Sequence, residues 1–236
     1  MERARGISLI IPARNEEARI VGCINSALQQ TIPFNEIVVA NNGSTDRTAE
    51  IARSLGCRVV DVHERGISPA RNGGALEARY NILAFADADG ILSPNWVEEA
   101  LKSLKNPKIM AVSGYNHFTN PDPSKENHYN RYSRFAYGCV DLFQQAQLPF
   151  WVGNNLAVRA ESFEKSGGFP SQVGEDVRLS FQLWFSGRPK SELNRNMRID
   201  YSSRRFDQNG FFNTLFWDWL IGTITNRPQV KYSKVA

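Results

Sequence analysis

The stretch Ile82-Leu83-Ala84-Phe85-Ala86-Asp87-Ala88-Asp89-Gly90 is an apolar run that stops abruptly on two carboxylates. A continuous apolar run of this length is typical of a buried strand, which would have its carboxyl end at Asp87. Because residues two apart on a strand point the same way, Asp87 and Asp89 can place both acidic groups on one side of a site. Oxygen ligands without a nearby cluster of Cys or His favour a hard divalent ion, Mg2+ or Mn2+. A solvated turn is the alternative interpretation of the same residues.

Strand and helix patterns alternate on both sides of this stretch. Strands are predicted at 7–11, 37–40, 58–62 and 109–114, with helices of regular apolar spacing between them. Continuous apolar strands that alternate with helices predict an α/β fold, in which a mainly parallel sheet carries helices on both faces. Ligands bind beyond the carboxyl ends of the strands in such folds. The polar clusters at 12–16, 41–46 and 87–89 would then line one crevice, although ordinary turn and capping residues would look the same.

The helix patterns also predict boundaries and buried faces. The first helix would start at Asn15, and Ser68 would cap a later one. Residues 116–126, which are polar and contain two prolines, are interpreted as a mobile excursion that could form a lid. Helices are also expected at 129–143 and 160–166 and from Glu175 onward. The side chains predicted to be buried on these helices are Val21, Ile24, Leu28, Tyr132, Ala136, Val140, Val177, Phe181 and Trp184.

Composition narrows the class of protein. The 236 residues carry a formal net charge of +4, an excess that suits anionic ligands but lacks the dense basic tract of a nucleic-acid-binding protein. Cys23, Cys57 and Cys139 show no Cys-x-x-Cys spacing, which favours free structural thiols in a reducing compartment. No apolar segment of signal-peptide form precedes the first strand, so we expect a cytoplasmic protein.

Residues 201–236 are predicted to form an extension with an amphipathic aromatic helix. Its apolar stretch is too short and too interrupted to cross a bilayer. It could instead lie peripherally on the inner face of the cytoplasmic membrane, pack on the domain itself or join a second subunit. The aromatic face consists of Phe212, Leu215, Phe216 and Trp219. The basic residues that would meet anionic head groups across 204–234 are Arg204, Arg205, Arg227, Lys231 and Lys234. Arg204 and Arg205 are alternatively candidates for reaching a diphosphate.

Seven short segments follow one another in a characteristic order: 10–17, 42–48, 70–72, 87–89, 153–155, 167–169 and 175–176. This ordered set resembles the family 2 glycosyltransferases, which are inverting enzymes with the GT-A fold. The resemblance implies a GT-A domain over residues 1–200, with a nucleotide-binding half at about 1–114 and an acceptor-side half at about 115–200.

The resemblance also implies roles on the donor side. Pro12, Arg14 and Glu16 match the loop that holds the base and ribose of the nucleotide. The pair Asn41-Asn42 stands where family members usually carry acidic residues that grip the base, and this departure leaves the nucleotide open. A UDP-sugar is the favoured donor, and a GDP-sugar is the alternative. The motif also implies that Arg71 lies near the diphosphate, where a guanidinium can bond phosphate oxygens. Asp87 and Asp89 match the metal motif, with Asp89 the closer ligand to a bridging Mn2+ or Mg2+.

On the acceptor side, the resemblance implies that Asp176 is the general base. A carboxylate within hydrogen-bond reach of a hydroxyl removes its proton as the oxygen attacks, and direct attack inverts the anomeric configuration. Glu175 would position the site or touch the acceptor. Gly153, Asn154 and Asn155 match the loop beside the acceptor, where a backbone without a side chain lets a sugar approach.

These features together predict a metal-dependent inverting glycosyltransferase. It would move a sugar from a nucleoside diphosphate to a hydroxyl of a saccharide or lipid-linked acceptor, as in cell-envelope polysaccharide synthesis. A sugar nucleotidyltransferase is the first alternative, but residues 12–17 lack the expected Gly-rich phosphate loop. A non-catalytic sugar-nucleotide-binding protein is the second, and it would not need Asp176. No Gly-x-Gly-x-x-Gly follows an early strand, which disfavours a nicotinamide dehydrogenase.

Overall fold

The computed structural model describes residues 3–145, 153–172, 174–185, 190–203 and 207. Strands and helices alternate strictly from residue 4 to residue 86, as the sequence predicts. Beyond that point, two strands or two helices also follow each other directly. In chain order the elements are β1 (Ala4–Ala13), α1 (Ile20–Leu28), β2 (Glu36–Asn41), α2 (Thr48–Ser54), β3 (Arg58–Asp61), α3 (Ile67–Glu77), β4 (Tyr80–Ala86), β5 (Gly90–Leu92), α4 (Trp96–Leu104), β6 (Ile109–Thr119), α5 (Pro123–Gln145), β7 (Asn155–Arg159), α6 (Ala160–Lys165), α7 (Glu175–Phe185) and β8 (Lys190–Ser202).

One sheet runs through the described residues in the order β3-β2-β1-β4-β7-β6-β8-β5. Its first four strands are parallel, and β6 and β8 are parallel as well. The strand β7 is antiparallel to both β4 and β6, and β5 is antiparallel to β8. The predicted α/β class is therefore confirmed, with an antiparallel insertion in the middle of the sheet. The carboxyl ends of β1, β2, β3 and β4 lie along one edge, where the predicted polar clusters begin.

The sheet is buried on both faces, with β4 at its centre. Ala84 packs in a cluster that includes residues of α1 and α4. Leu83 and Phe85 face the opposite way, into a cluster with residues of α3, α6 and α7. Helix α3 lies very close to the sheet, because a Cβ on Gly74 would come within 2.5 Å of Ile10 Cγ2. The continuous apolar run of β4 thus reflects burial on two sides rather than one.

The predicted start and buried face of the first helix are wrong. Helix α1 begins at Ile20, and Val21 and Leu28 are exposed while Ile24 is buried. The residues before it form a turn that is tied to the start of α2. Asn15 has a positive φ of 54°, and the backbone N–H of Glu16 donates to Thr48 Oγ1 at 2.8 Å. Residues 15–19 thus form a turn before the helix, which starts at Ile20.

Ser68 does not cap a helix. Helix α3 begins one residue earlier, after Gly66, and Ser68 is buried inside its first turn. Its hydroxyl donates to the carbonyl oxygen of Pro170 at 2.7 Å. This contact joins α3 to the segment that precedes α7.

The predicted excursion at 116–126 is also wrong. Strand β6 continues to Thr119, and α5 starts at Pro123. The polar residues of this stretch form a strand because Tyr115 to Thr119 pair in parallel with Arg198 to Ser202 of β8. A partner some eighty residues away is not visible in the local pattern.

The buried faces of α5 and α7 differ from the prediction. On α5, Val140 is buried as expected, but Tyr132 and Ala136 are exposed. On α7, Val177 is buried, Trp184 is partly buried and Phe181 is exposed. The buried positions instead include Tyr129, Ser133 and Tyr137 on α5, and Leu179 and Leu183 on α7.

Several predicted features of the C-terminal extension fall outside the described residues. They are the aromatic helix and the basic residues Arg204, Arg205, Arg227, Lys231 and Lys234. Cys23 and Cys57 are buried free thiols, and Cys139 is partly exposed. Among the helices that the structure describes, none is long and apolar enough to span a bilayer.

Candidate active site

The two carboxylates that follow β4 lie in a tight turn. The N–H of Gly90 donates to the carbonyl oxygen of Asp87 at 3.0 Å, and both Asp87 and Asp89 are partly buried. A side chain at Gly90 would come within 2.8 Å of Ile199 and Tyr201, so the turn packs directly on β8. The predicted pair therefore sits at a fixed position at the carboxyl end of β4.

Arg71 on α3 links the donor and acceptor parts of the predicted site. It is only 3% exposed, and its two terminal nitrogens donate to different carboxylates. One bonds Asp87 Oδ1 at 3.0 Å and the other bonds Glu175 Oε1 at 2.9 Å. The guanidinium also lies over the ring of Phe169, 5.0 Å from its centroid. Its Nε is buried without a hydrogen-bond partner among the described residues. The sequence did not predict that Arg71 would join Asp87 to Glu175.

Asp176 lies in the first turn of α7, beside the same guanidinium. Its carboxylate accepts from the N–H of Val177 at 2.9 Å and, at 3.4 Å, from the N–H of Gly153. Burial is the largest influence on its pKa, and the neighbouring Glu175 adds to it; together they raise the pKa of Asp176 to about 6, although Arg71 opposes them. A carboxylate that titrates near neutral pH is suited to proton transfer.

Gly153 is packed so closely that a larger residue would disturb this cluster. A Cβ at this position would lie 3.0 Å from Cβ of Asp176 and 3.2 Å from Nη1 of Arg71. The structure therefore brings Gly153, Glu175 and Asp176 together with Arg71 and Asp87. It does not describe Trp151 and Val152, which precede this glycine.

The side chain of Asn155 is directed into the protein interior. It is fully buried, accepts from Trp96 Nε1 at 2.8 Å, and donates to Asn116 Oδ1 at 3.0 Å. It also donates to the carbonyl oxygens of Met197 and Tyr115. With this hydrogen-bonding capacity satisfied, the side chain joins β6, β7 and β8 and supports the loop before it.

Asn154 is held from two sides by residues that sequence reasoning missed. Its side-chain oxygen accepts from Asn116 Nδ2 at 2.9 Å, and its carbonyl oxygen accepts from the hydroxyl of Tyr201 at 2.7 Å. Tyr201 is buried against the turn at Asp87 and Asp89. Burial is the largest cause of the raised pKa of Tyr201, and the carboxylates of Asp87 and Asp89 raise it further. No sequence signal marked Tyr201, because it lies in the part of the chain where the family motifs thin out.

Asn41 and Asn42 lie at the end of β2, where the base was expected. Asn41 Nδ2 donates to Asp61 Oδ1 at 2.6 Å. Asn42 Nδ2 donates to the carbonyl oxygens of Val62 and Glu64, and its Oδ1 accepts from the N–H of Gly66. Asn42 thus holds the loop after β3 in place, and Asn41 orients the carboxylate of Asp61 through its hydrogen bond. An acidic residue is present at this edge after all, supplied by the neighbouring parallel strand.

A cavity of about 270 Å3 opens beside these residues. Its lining consists of Asn41, Gly43, Asp61, Val62, His63 and Arg65. Pro12 is buried in β1, which pairs with β2, while Arg14 and Glu16 follow it and are partly exposed. Glu16 forms an ion pair with Arg19 at 3.0 Å. These residues therefore stand at the same edge of the sheet as the cavity.

A larger cavity of about 520 Å3 lies between α4 and β8. It is lined by polar side chains that include Glu99, Ser103 and Asn194, and by none of the predicted site residues. We therefore locate the candidate site by its ionisable groups rather than by cavity size.

The donor set at Asp87 and Asp89 fits a magnesium or manganese ion. Among the residues that the structure describes, no group of three or more His, Cys, Asp or Glu side chains could hold a metal by itself. Mg2+ is usually bound through one or two carboxylates plus phosphate oxygens of the substrate, rather than by a complete protein cage. A pair of carboxylates at an open strand end matches that mode.

Proteins of similar sequence are glycosyltransferases by name. A glycosyltransferase AglE from Haloferax volcanii is 31% identical, over 72% of this chain and 59% of that protein. A 4,4'-diaponeurosporenoate glycosyltransferase from Staphylococcus aureus is 45% identical, over 71% of this chain and 52% of that protein. The chain thus spans between half and two thirds of the length of these relatives.

Solved structures share the fold. A mannosyltransferase from Pyrobaculum calidifontis in complex with GDP-Man and Mn2+ superposes with a TM-score of 0.64 at 23% identity, over 85% of this chain and 57% of that one. The S. aureus TarS fragment 1-349 in complex with UDP-GlcNAc gives a TM-score of 0.62 at 15% identity, over 84% of this chain and 59% of that one. The predicted GT-A fold is therefore confirmed. The sequence model described as glycosyl transferase family 2 matches residues 8–167, and the chain belongs to that family.

Proposed function

We propose that this chain is a metal-dependent inverting glycosyltransferase that uses a nucleoside-diphosphate sugar. The acceptor would be a hydroxyl of a saccharide or of a lipid-linked acceptor. The observation that carries the proposal is the arrangement around Arg71, where one guanidinium bonds Asp87 on the donor side and Glu175 beside Asp176. This arrangement sets the candidate base at a fixed position relative to the candidate donor site.

In this proposal Asp176 removes the proton of the attacking hydroxyl. Its pKa of about 6 leaves it ionised at neutral pH, yet basic enough to take a proton as the bond forms. The N–H of Gly153 and the N–H of Val177 orient the carboxylate. Attack on the face opposite the leaving nucleotide inverts the anomeric centre. Asn154, held by Asn116 and Tyr201, borders the acceptor side together with Gly153.

Asp87 and Asp89 would hold the divalent ion. A bound ion supplies positive charge that offsets the negative charge developing on the departing nucleoside diphosphate. Arg71 holds Asp87 in place and, through Glu175, supports the acceptor side. Its assignment to the diphosphate remains a prediction, because both of its terminal nitrogens are engaged by carboxylates.

The nucleotide would bind along the edge formed by β1, β2 and β3. Pro12, Arg14 and Glu16 would contact the base and ribose, and Asn41 with Asp61 would contact the base. The relatives in solved structures carry GDP-Man in one case and UDP-GlcNAc in another, so both nucleotides are candidates. We expect the protein to work in the cytoplasm, where nucleotide sugars are made.

Calorimetric titration with UDP, GDP and CDP tests the donor site. Each nucleotide is added with Mn2+, with Mg2+ and with chelator, to the native protein and to Asp89→Ala. We expect one nucleotide to bind at micromolar concentration with metal only, and Asp89→Ala to lose that binding. Glu50→Ala on α2 removes an exposed carboxylate away from β4 and serves as the matched control. Equal binding in chelator, or unchanged metal-dependent binding by Asp89→Ala, would remove these carboxylates from the proposal.

A further inference from the structure

Tyr201 on β8 contacts both halves of the candidate site. It is 5% exposed, and in the sheet it lies opposite Gly90, the residue that follows Asp89. Its ring packs on the turn from Asp87 to Gly90, since a Cβ on Gly90 would come within 2.8 Å of Tyr201 Cε1. Its hydroxyl donates to the carbonyl oxygen of Asn154 at 2.7 Å. One side chain therefore joins the turn of the candidate metal ligands to the loop of the candidate acceptor site.

The position of this hydroxyl is set by the sheet. The backbone of Tyr201 pairs with Gly90 of β5 on one side and with Phe118 of β6 on the other. A buried ring on a strand that is paired on both sides has few alternative rotamers. Asn154, in contrast, lies in a turn just before β7. The bond from Tyr201 therefore ties a loop backbone to a fixed point of the sheet.

Arg71 also joins the donor and acceptor parts of the site, but through an ionic contact. It donates to Oδ1 of Asp87, which is itself a candidate metal ligand, so a bound ion would compete with this bond. Tyr201 contacts the turn through its ring and the loop through a backbone oxygen. Neither contact uses a carboxylate. The link through Tyr201 is thus suited to persist when the donor site is filled.

We propose that Tyr201 is a positioning residue, whose hydroxyl sets the backbone of residues 153–155 relative to the turn of Asp87 and Asp89. The N–H of Gly153 in this loop donates to the candidate base Asp176. A displaced loop would therefore misplace the acceptor side relative to the donor, which lowers the rate of transfer rather than the affinity for the donor. This effect on transfer rests on the proposed function, whereas the physical link between turn and loop does not. Position 201 lies beyond residues 8–167, which the family model matches.

Hydrogen exchange of the full chain, followed by mass spectrometry, tests the link without nucleotide or turnover. Tyr201→Phe keeps the ring and removes the hydroxyl. We expect the amides at 153–155 to exchange about fivefold faster than in the native chain, the effect of losing one hydrogen bond that opposes local opening. The amides at 82–86 in β4 should keep their native rates. Tyr129→Phe is the matched control, because this partly buried hydroxyl donates to Asp207 instead of to the loop; it should leave exchange at 153–155 unchanged.

Gly90→Ala perturbs the same link from the turn. The added methyl group would press on the ring of Tyr201, so exchange at 153–155 should become faster in the native background. In the Tyr201→Phe background the added effect should disappear, because the ring no longer carries a bond to the loop. An added effect of full size in that background would overturn the proposal, since the turn would then act on the loop by another route.

Steady-state kinetics test the positioning role in the proposed reaction. Tyr201→Phe should lower kcat at least about fivefold and leave donor KM, and the binding of UDP or GDP with Mn2+, within about twofold of native values. Unchanged exchange at 153–155 would overturn the proposal. Equal acceleration at 82–86 would also overturn it, because it would show only a general loss of stability. Unchanged kcat despite faster exchange would remove the positioning role. A native chain that transfers no sugar would overturn the proposed function alone, because the exchange measurement needs no turnover.

Discussion

Replacement of Asp176 by Asn should abolish sugar transfer and at the same time stabilise the folded protein at neutral pH. The carboxylate has an ordinary pKa of 3.8, which burial first and Glu175 second raise to about 6 in the folded chain. The folded state therefore disfavours the ionised form relative to the unfolded chain. A base must be ionised to act, so the ionised Asp176 carboxylate lowers the stability of the folded protein. Substitution by Asn removes this destabilisation and also removes the base.

The magnitude follows from the pKa. At about 1.4 kcal/mol for each pH unit, a rise from 3.8 to about 6 corresponds to about 3 kcal/mol of destabilisation when the group is fully ionised. Asn has one carbonyl oxygen for the two N–H donors of Gly153 and Val177. The loss of one hydrogen bond should lower the free energy of unfolding by about 1 kcal/mol. We therefore expect a net gain of about 2 kcal/mol. The gain should be complete above about pH 6 and disappear as pH falls towards 4, since the native carboxyl is then protonated as well.

Urea unfolding at pH 7.5 and pH 4.5, combined with a transfer assay, measures both effects. Glu175→Gln is the contrasting variant, because Glu175 accepts a hydrogen bond from the buried Arg71 at 2.9 Å. That substitution should destabilise the protein by about 2 kcal/mol, since it leaves part of a buried guanidinium uncompensated. Transfer by Asp176→Asn should fall at least about 100-fold. A loss of stability by Asp176→Asn at pH 7.5 would contradict the raised pKa of Asp176. So would a gain at pH 4.5 as large as the gain at pH 7.5.

Three further substitutions probe the surroundings of this group. Arg71→Met should destabilise the protein by about 3 kcal/mol and move the acid limb of the pH–rate profile upward, because Arg71 lowers the pKa of Asp176; an unmoved limb would contradict this. Asn155→Ala should cost about 3 kcal/mol in urea unfolding, because it strands several buried partners; a loss below 1 kcal/mol would mean that water replaces the side chain. Asn41→Asp places a carboxylate against Asp61, so its stability should be lower at pH 7.5 and recover near pH 4, whereas a pH-independent loss would indicate a steric cause.

The sequence was most informative where burial is symmetric and local. The run at 82–86 is apolar throughout because both faces of β4 are covered, and its end correctly located Asp87 and Asp89. The short helix at 160–166 also ended at Gly167 and Gly168, whose positive φ values require glycine. Such features depend on a few neighbouring residues and are therefore visible without the fold.

The errors arose where a distant segment decides the local structure. Residues 116–119 are polar, yet they form a strand because β8 lies beside them. The acceptor-side role of Asn155 stays a prediction, but its side-chain contacts with Trp96, Asn116 and the backbone of β8 were not visible in the sequence. Asp61 is an ordinary surface acid in the sequence, and only the pairing of β2 with β3 brings it to Asn41. Long-range pairing of this kind leaves no periodic signal.

The negative charge of the carboxylates in the candidate site is the physical reason for the proposed metal. Asp87, Asp89, Glu175 and Asp176 bring four carboxylates to this part of the fold, and Arg71 is divided between two of them. A nucleoside diphosphate would bring further negative charge to the same place. Its binding without a cation would therefore be opposed by repulsion in a partly buried region, where screening is weak. In the proposed mechanism, a divalent ion held by Asp87 and Asp89 would offset that repulsion. The dependence of donor binding on metal is thus the property on which the proposed role of Asp87 and Asp89 stands, independently of whether Asp176 acts as the base.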